Sequence, residues 1–408
     1  MNNTFLAFCI FIIILFLYIH VTAQWKTSDD LEIYESDFES ATQLQEVCAV
    51  KQPVIFKFQK DPIADAFFER FQASKFEKYD NLDIRVKDRT DYTSTSHTDK
   101  SSLDNPRTPT LIRSGVLANE NENAIDYVPL SFRSARRLFT TDTNAKYFSD
   151  KNQAFLEESG LDRVARTIDT HLKPPLSAYS KYDLLIGSPL VTTPLRHHLE
   201  SHFFIAVTRG KINVKLCPPK YSKIIPSFKD YENYEFWSPL NPFSNKPDQK
   251  QKDVLQKIKF LDIEVNSGDI LFLPPYWWYS ISFSGDPETT LATFTYDVAM
   301  NIAAQSKHWG LYYLQQSNIK TRPAKTIRAL DSARTPSNDN GAQESTNPED
   351  DAPDKPREKV DAIATSQPVK REIVTNAGIW AIHGMSEERV NVVELGYSRN
   401  ERGTSECS

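Results

Sequence analysis

The chain predicts a mainly β fold with packed helices (α+β): a sandwich or barrel behind a mixed helical half, preceded by one membrane-length apolar segment. Three observations predict it. Short strand-like runs recur between Tyr182 and Tyr296, with turn residues between them. Aromatic residues make up 12% of the chain, which suits a sheet-rich core rather than a disordered chain. Phe5 to Ile19 is an unbroken apolar run.

Extended to Ala23, that run reaches the roughly 20 residues needed to cross a bilayer. Val21-Thr22-Ala23 would serve as a small-residue cleavage site, so a signal peptide competes with an uncleaved anchor. The preceding Met1-Asn2-Asn3-Thr4 carries no Lys or Arg, and the apolar run is long for a signal peptide. Residues 5–23 are therefore expected to stay as a single-pass transmembrane anchor. Lys26 is followed by Asp29, Asp30 and Glu32, so flanking charge leaves the side of the membrane open.

Residues 28–172 read as a mixed α/β part. Pro53 to Phe58 reads as a short buried strand, and Ala64 to Phe76 has helical apolar spacing. Thr90 to Pro109 is a polar surface loop; Leu130–Phe139 and Asn152–Leu172 are helical, and Lys173-Pro174-Pro175 stops the chain. Residues 173–298 change period. Strands are expected at Asp183–Gly187, Phe203–Val207, Lys211–Leu216, Leu261–Val265, Ile270–Leu273 and Thr290–Tyr296. The third alternates cleanly, with Ile212, Val214 and Leu216 on one face.

Residues 299–318 hold a C-terminal helix, Ala299–Gln316, with Ile302, Trp309 and Tyr313 on one side. That side fits either a second copy, giving a homodimer through 299–316, or the chain's own barrel. Residues 321–371 are rich in Pro, Ser and charge with almost no large apolar residue, and are expected to be disordered. Residues 372–408 have no assignment.

The net charge of −6 gives no footprint for nucleic acid. None of Cys9, Cys48, Cys217 and Cys407 forms a C-x-x-C pair, so a structural zinc site has no support. Cys48 and Cys217 could pair as a disulfide, but two buried free thiols are the expectation.

Two segments carry a family likeness. One is Tyr182–Ser188, followed by Thr193-Pro194-Leu195-Arg196-His197-His198 and Phe203–Pro219. The other is Ser267–Tyr279, which contains the run G-D-x-L-F-x-P-x-x-W-W. From about Leu172 to Tyr296 the chain resembles the cupin-like (JmjC and asparaginyl-hydroxylase) family. The resemblance implies a double-stranded β-helix, with Gly268-Asp269 as a turn and Trp277 and Trp278 as plugs near the site. It also implies an Fe(II) site of two His and one carboxylate, with 2-oxoglutarate as cosubstrate.

Here the sequence departs from that pattern. Arg196, His198 and Tyr279 stand at the three family metal positions. A guanidinium stays charged and cannot ligate iron. By the same resemblance Lys211 and Thr193 would hold the 2-oxoglutarate carboxylate. The local run also offers a relocated metal site, because His198, Glu200 and His202 would share a face of an extended chain. The plainer reading is a polar strand with Arg196 paired to Glu200. No other catalytic motif competes. The sequence is thus expected to give a membrane-anchored cupin-like protein without cofactor or catalysis, binding a partner protein or a small carboxylate. The alternative is an Fe(II)/2-oxoglutarate protein hydroxylase with an altered ligand set.

Overall fold

The structure, a computed structural model, describes residues 3–58, 60–93 and 127–321. The chain begins with α1 (Asn3–Gln24), β1 (Tyr34–Asp37), α2 (Ala41–Ala49), β2 (Val54–Lys57), α3 (Pro62–Arg70) and β3 (Asp83–Asp88). It continues through β4 (Val128–Ser131), α4 (Phe132–Thr141), β5 (Tyr147–Ser149), α5 (Gln153–Ser159), α6 (Leu161–Ala165) and α7 (Asp169–Leu172). The strands β6 (Ser177–Gly187), β7 (Leu195–His197), β8 (His202–Arg209), β9 (Lys211–Cys217), β10 (Phe228–Asp230) and β11 (Glu235–Ser238) follow. After α8 (Gln249–Leu255) come β12 (Leu261–Asn266), β13 (Asp269–Leu273), β14 (Trp278–Phe283) and β15 (Thr290–Val298), then α9 (Ala299–Ala304) and α10 (Ser306–Thr321).

Two sheets result. The larger has the order β1-β2-β13-β8-β15-β6-β5-β3-β4, the smaller β10-β11-β7-β14-β9-β12. Strand alternation sorts the core into layers. Ile205, Val207, Ile212, Val214, Leu216, Leu271 and Ile281 fill the space between the sheets. Phe204, Ala206, Phe272 and Phe294 point the other way, into a second layer under the helices, with Phe67, Phe132 and Phe155. A smaller cluster of Leu195, Cys217, Leu240, Ile258 and Trp278 covers the outer face of the smaller sheet. Each large apolar side chain buried this way contributes roughly 1.5–3 kcal/mol. The turns match the strands. Gly210 has φ +77°, and a Cβ there would meet Thr289 Oγ1 at 2.5 Å. Gly268 has φ +95°, and its N–H donates to the Val207 carbonyl at 2.9 Å, which makes the turn into β13.

Several expected elements are shorter or broken. Asp61 caps α3 with Pro62 in its first turn, and the helix ends at Arg70 because Phe71 leaves helical geometry, φ −93° and ψ 65°. The expected helix over 152–172 is split by Gly160, at φ 71°. The expected helix Ala299–Gln316 is two helices. They part at Gln305, whose side-chain amide donates to the Tyr276 hydroxyl. Cys9, Cys48 and Cys217 are free thiols. Cys48 and Cys217 lie in different layers, so no disulfide joins them. Most of the expected loop 90–109, the linker 321–371 beyond its first residue and the tail 372–408 lie outside the described residues.

Candidate functional site

Alternation decides what each strand sends inward. On β7, Arg196 points between the sheets, directly opposite Tyr279 of β14 and Trp237 of β11. His197 points outward, edge-on to Trp278 at 4.5 Å between centroids. His198 turns inward again, stacked on Phe203 at 3.9 Å. Trp278 is on the outer side, donating from Nε1 to Ser222 Oγ at 2.8 Å, so of the two tryptophans only Trp277 faces the inter-sheet layer.

Arg196 does not pair with Glu200. Its Nη1 lies 2.6 Å from Asp150 Oδ2 and 3.7 Å from Glu235 Oε1. Lys87 Nζ lies 2.9 Å from Asp150 Oδ1 and 3.0 Å from Glu235 Oε2. Lys151 Nζ reaches the same Glu235 oxygen at 3.1 Å and donates to the Asn233 carbonyl at 2.6 Å. The Tyr92 hydroxyl donates to Glu235 Oε1 at 3.1 Å. Lys87, Asp150, Arg196 and Glu235 are all buried. Three cations thus face two carboxylates in a closed cluster between the sheets.

The electrostatics are mutually reinforcing. Burial alone would lower the Arg196 and Lys87 pKa values, but Tyr279, Asp150 and Glu235 hold Arg196 well above its ordinary value, and Asp150 and Glu235 do so for Lys87. Burial alone would raise Glu235, yet Lys151, Lys87 and Arg196 hold it well below the usual carboxylate range. Asp150 is likewise lowered against its burial, by Lys87 and Arg196. Lys151 is lowered, because burial outweighs its pull from Glu235. Lys87, Asp150, Arg196 and Glu235 are therefore each held in the charged form by their neighbours. One donor stays unused: Arg196 Nε is buried with no hydrogen-bond partner.

The other two residues that stand where the resemblance puts metal ligands meet each other. His198 Nε2 and the Tyr279 hydroxyl share a hydrogen bond. Burial lowers the His198 pKa and raises that of Tyr279, which leaves a neutral imidazole and a neutral phenol. A guanidinium, an imidazole and a phenol therefore occupy the positions where the resemblance puts two His and a carboxylate, and they do not fit an Fe(II) triad.

The relocated site does not assemble either. The chain bends at Glu200 and Ser201 instead of staying extended. His198 Nδ1 is then 3.6 Å from Glu200, while His202 Nδ1 bonds Ser201 Oγ at 3.1 Å. Among the described residues, no group of three or more His, Cys, Asp or Glu side chains could hold a metal ion.

Thr193 and Lys211 are also apart. Thr193 is buried, and its Oγ1 accepts from the Ile281 N–H at 2.9 Å. Lys211 is on the outward register of β9, half-exposed and paired with Glu264 at 3.0 Å, so it does not face the cluster. The lysines that face the cluster are Lys87 of β3 and Lys151, just after β5. Tyr92, Asp150 and Glu235 were, like them, unmarked, and no local pattern in the sequence distinguishes them.

Two facing, mainly antiparallel sheets, with a site between them, define a cupin jelly roll. Residues 39–303 match the model of the family described as the cupin-like domain, more than half of the chain, and the protein belongs to that family. No curated protein matches the chain. Among the described residues one helix, Thr4–Gln24, is long and apolar enough to cross a membrane, as is also true of signal sequences.

Proposed function

We propose that this is a membrane-anchored cupin-like protein that does not catalyse oxygenation and acts by binding a partner protein. The observation that carries the proposal is the ion cluster. Arg196 stands where the resemblance puts the first metal ligand, and Asp150 and Glu235 hold it there. A divalent ion there would meet a fixed like charge, and two unit charges about 4 Å apart repel by roughly 4 kcal/mol at an effective dielectric near 20. The carboxylates that could offset this are already held by Lys87 and Lys151.

A small carboxylate is the second reading. The cluster carries one more cation than carboxylate, and Arg196 Nε has no partner. Lys211 plays no part in it. Fe(II)/2-oxoglutarate hydroxylation with an altered ligand set is the rival that the test must exclude. The full chain, purified in detergent with Fe(II) and 2-oxoglutarate, is assayed for bound iron and for succinate. The expected result is neither stoichiometric iron nor succinate. About one iron per chain together with succinate formation overturns the proposal.

A further inference from the structure

One end of the body gathers exposed apolar side chains around the foot of α1. In the last turn of α1, Val21, Thr22 and Gln24 are partly covered, while Ile10 to His20 are exposed. That turn packs on α9. Trp25 Nε1 donates to the Ala304 carbonyl at the end of α9, at 3.2 Å. Lys51 Nζ donates to the Ala23 carbonyl at 2.8 Å, closing the helix C-terminus. These contacts join the end of the apolar helix directly to the body.

The surface beside this joint is unusually apolar. Leu176 is 90% exposed, with φ 59°. Its neighbour Ser177 pairs with Val298, the residue before α9. Val50, next to Lys51, is 61% exposed, and Trp25 is 54% exposed. On α10, Trp309 and His308 pack against Tyr234 and Tyr231 of the body. Leu314 and Tyr313 are left outward, at 65% and 47% exposure. Lys26 and Lys173 are exposed on the same chain segments as Trp25 and Leu176.

We infer that this end of the body rests on a phospholipid bilayer, with Leu176 and the Leu311–Leu314 edge of α10 in its interfacial layer. The inference rests on the anchor reading of α1. A bilayer that holds α1 has its boundary at Ala23–Trp25, where the helix meets the body. The interfacial layer extends about 5–8 Å beyond the hydrocarbon core on each side. α9 is a helix of six residues, about 9 Å long, so Leu176 at one end and Trp25 at the other lie within reach of that layer. Leu311 and Leu314 are about 8 and 12 Å along α10 from Ser306. A rim of Trp, Tyr, Lys and Leu is the composition that membrane interfaces favour. Leu190 is a built-in contrast. It is 64% exposed but follows the far end of β6, whose eleven residues span about 33 Å from Ser177.

The test uses the full chain reconstituted in phosphatidylcholine vesicles that contain a small fraction of phosphatidylcholine with a diazirine on its acyl chain. After irradiation, lipid adducts are mapped by mass spectrometry. Adducts are expected in Phe5–Ala23, at Leu176 and across Leu311–Leu314, each several-fold above Leu190. Adducts confined to Phe5–Ala23 overturn the inference and leave the anchor reading standing. Chain-to-chain cross-links through Leu311 and Leu314 without lipid adducts overturn it in favour of a second copy. Absence of adducts from Phe5–Ala23 removes the anchor reading, and the inference with it.

Discussion

Asp150→Asn is the sharpest probe of the cluster. The carboxylate lies 2.6 Å from Arg196 and 2.9 Å from Lys87, and it is buried. Its amide counterpart keeps the shape and loses the charge. In the native cluster Lys87, Lys151 and Arg196 face Asp150 and Glu235, an excess of one positive charge. The variant leaves three cations on Glu235 alone, an excess of two. Stranding buried charge in this way costs about 3–5 kcal/mol. For a body of this size that is a fall in Tm of roughly 6–20 °C.

The assay is urea unfolding of the full chain in detergent, followed by tryptophan fluorescence with refolding checked. Trp237 and Trp277 are buried in the same inter-sheet layer and report on it. Adding Lys87→Met restores the native charge excess of one. The double variant is therefore expected to be more stable than Asp150→Asn alone, the opposite of additivity. A loss below about 1 kcal/mol, the scale of surface pairs, would refute the reasoning. So would a second substitution that simply adds its own cost.

Three further outcomes follow from the geometry. Asp297 is buried, and burial together with Glu200 raises its pKa to about 7. Its unfolded value is about 3.9, so between these pH values the folded state holds a proton that the unfolded state has released. Stability contributed there falls as pH rises from about 4 to 7, and Asp297→Asn is expected to remove that fall, by on the order of a few kcal/mol at pH 8. Urea midpoints at pH 4.5 and pH 8 measure it; an equal change at both refutes it. Trp309→Ala deletes a ring stacked on Tyr234 at 5.0 Å and edge-on to Tyr179 at 6.4 Å. It is expected to cost about 1–3 kcal/mol while leaving the sedimentation mass unchanged, and a changed mass without loss of stability would count against it. Lys211→Gln removes an exposed pair with Glu264 and is expected to shift stability by less than about 0.5 kcal/mol.

The legible part of this protein is the part with local period. Lys211–Leu216 and Leu261–Val265 alternate in the sequence and pair in register as β9 and β12, with Val214 opposite Ile263. The Gly268-Asp269 turn and the G-D-x-L-F run carry the family. The cluster has no such signature. β3 reads Asp-Ile-Arg-Val-Lys-Asp, an alternation that equally describes a solvated strand, yet Ile84 and Val86 face the helices while Lys87 points between the sheets. Its partner Glu235 is 148 positions away in the chain. Lys211 was the natural choice of inward lysine by likeness, but register is unforgiving: a one-residue offset on a strand exchanges the two faces, and Ile212 holds the inner one. The helices failed at single residues, Gly160 and Gln305, whose effect depends on backbone geometry and on a distant hydroxyl.

The placement of the cluster also explains how the fold tolerates Arg196 where the resemblance expects a metal donor. Lys87 on β3 and Asp150, just after β5, belong to the larger sheet; Arg196 on β7 and Glu235 on β11 belong to the smaller. The Arg196–Asp150 and Lys87–Glu235 pairs therefore run from one sheet to the other. A metal bound at Arg196, His198 and Tyr279 would draw donors from β7, the segment after it and β14. Those positions all sit on or beside the smaller sheet. The ion cluster joins both sheets instead. Buried charge of this kind adds little net stability over an apolar core, since desolvation offsets most of the attraction. What it adds is direction, because a sheet-to-sheet slip of one residue would strand two charges at once. Placing His at position 196 would remove the 2.6 Å partner of Asp150 and leave Lys87 and Lys151 facing Asp150 and Glu235. A change at position 196 therefore also changes the partners of Asp150 and Glu235, and Lys87, Lys151, Asp150, Arg196 and Glu235 respond to substitution as one unit.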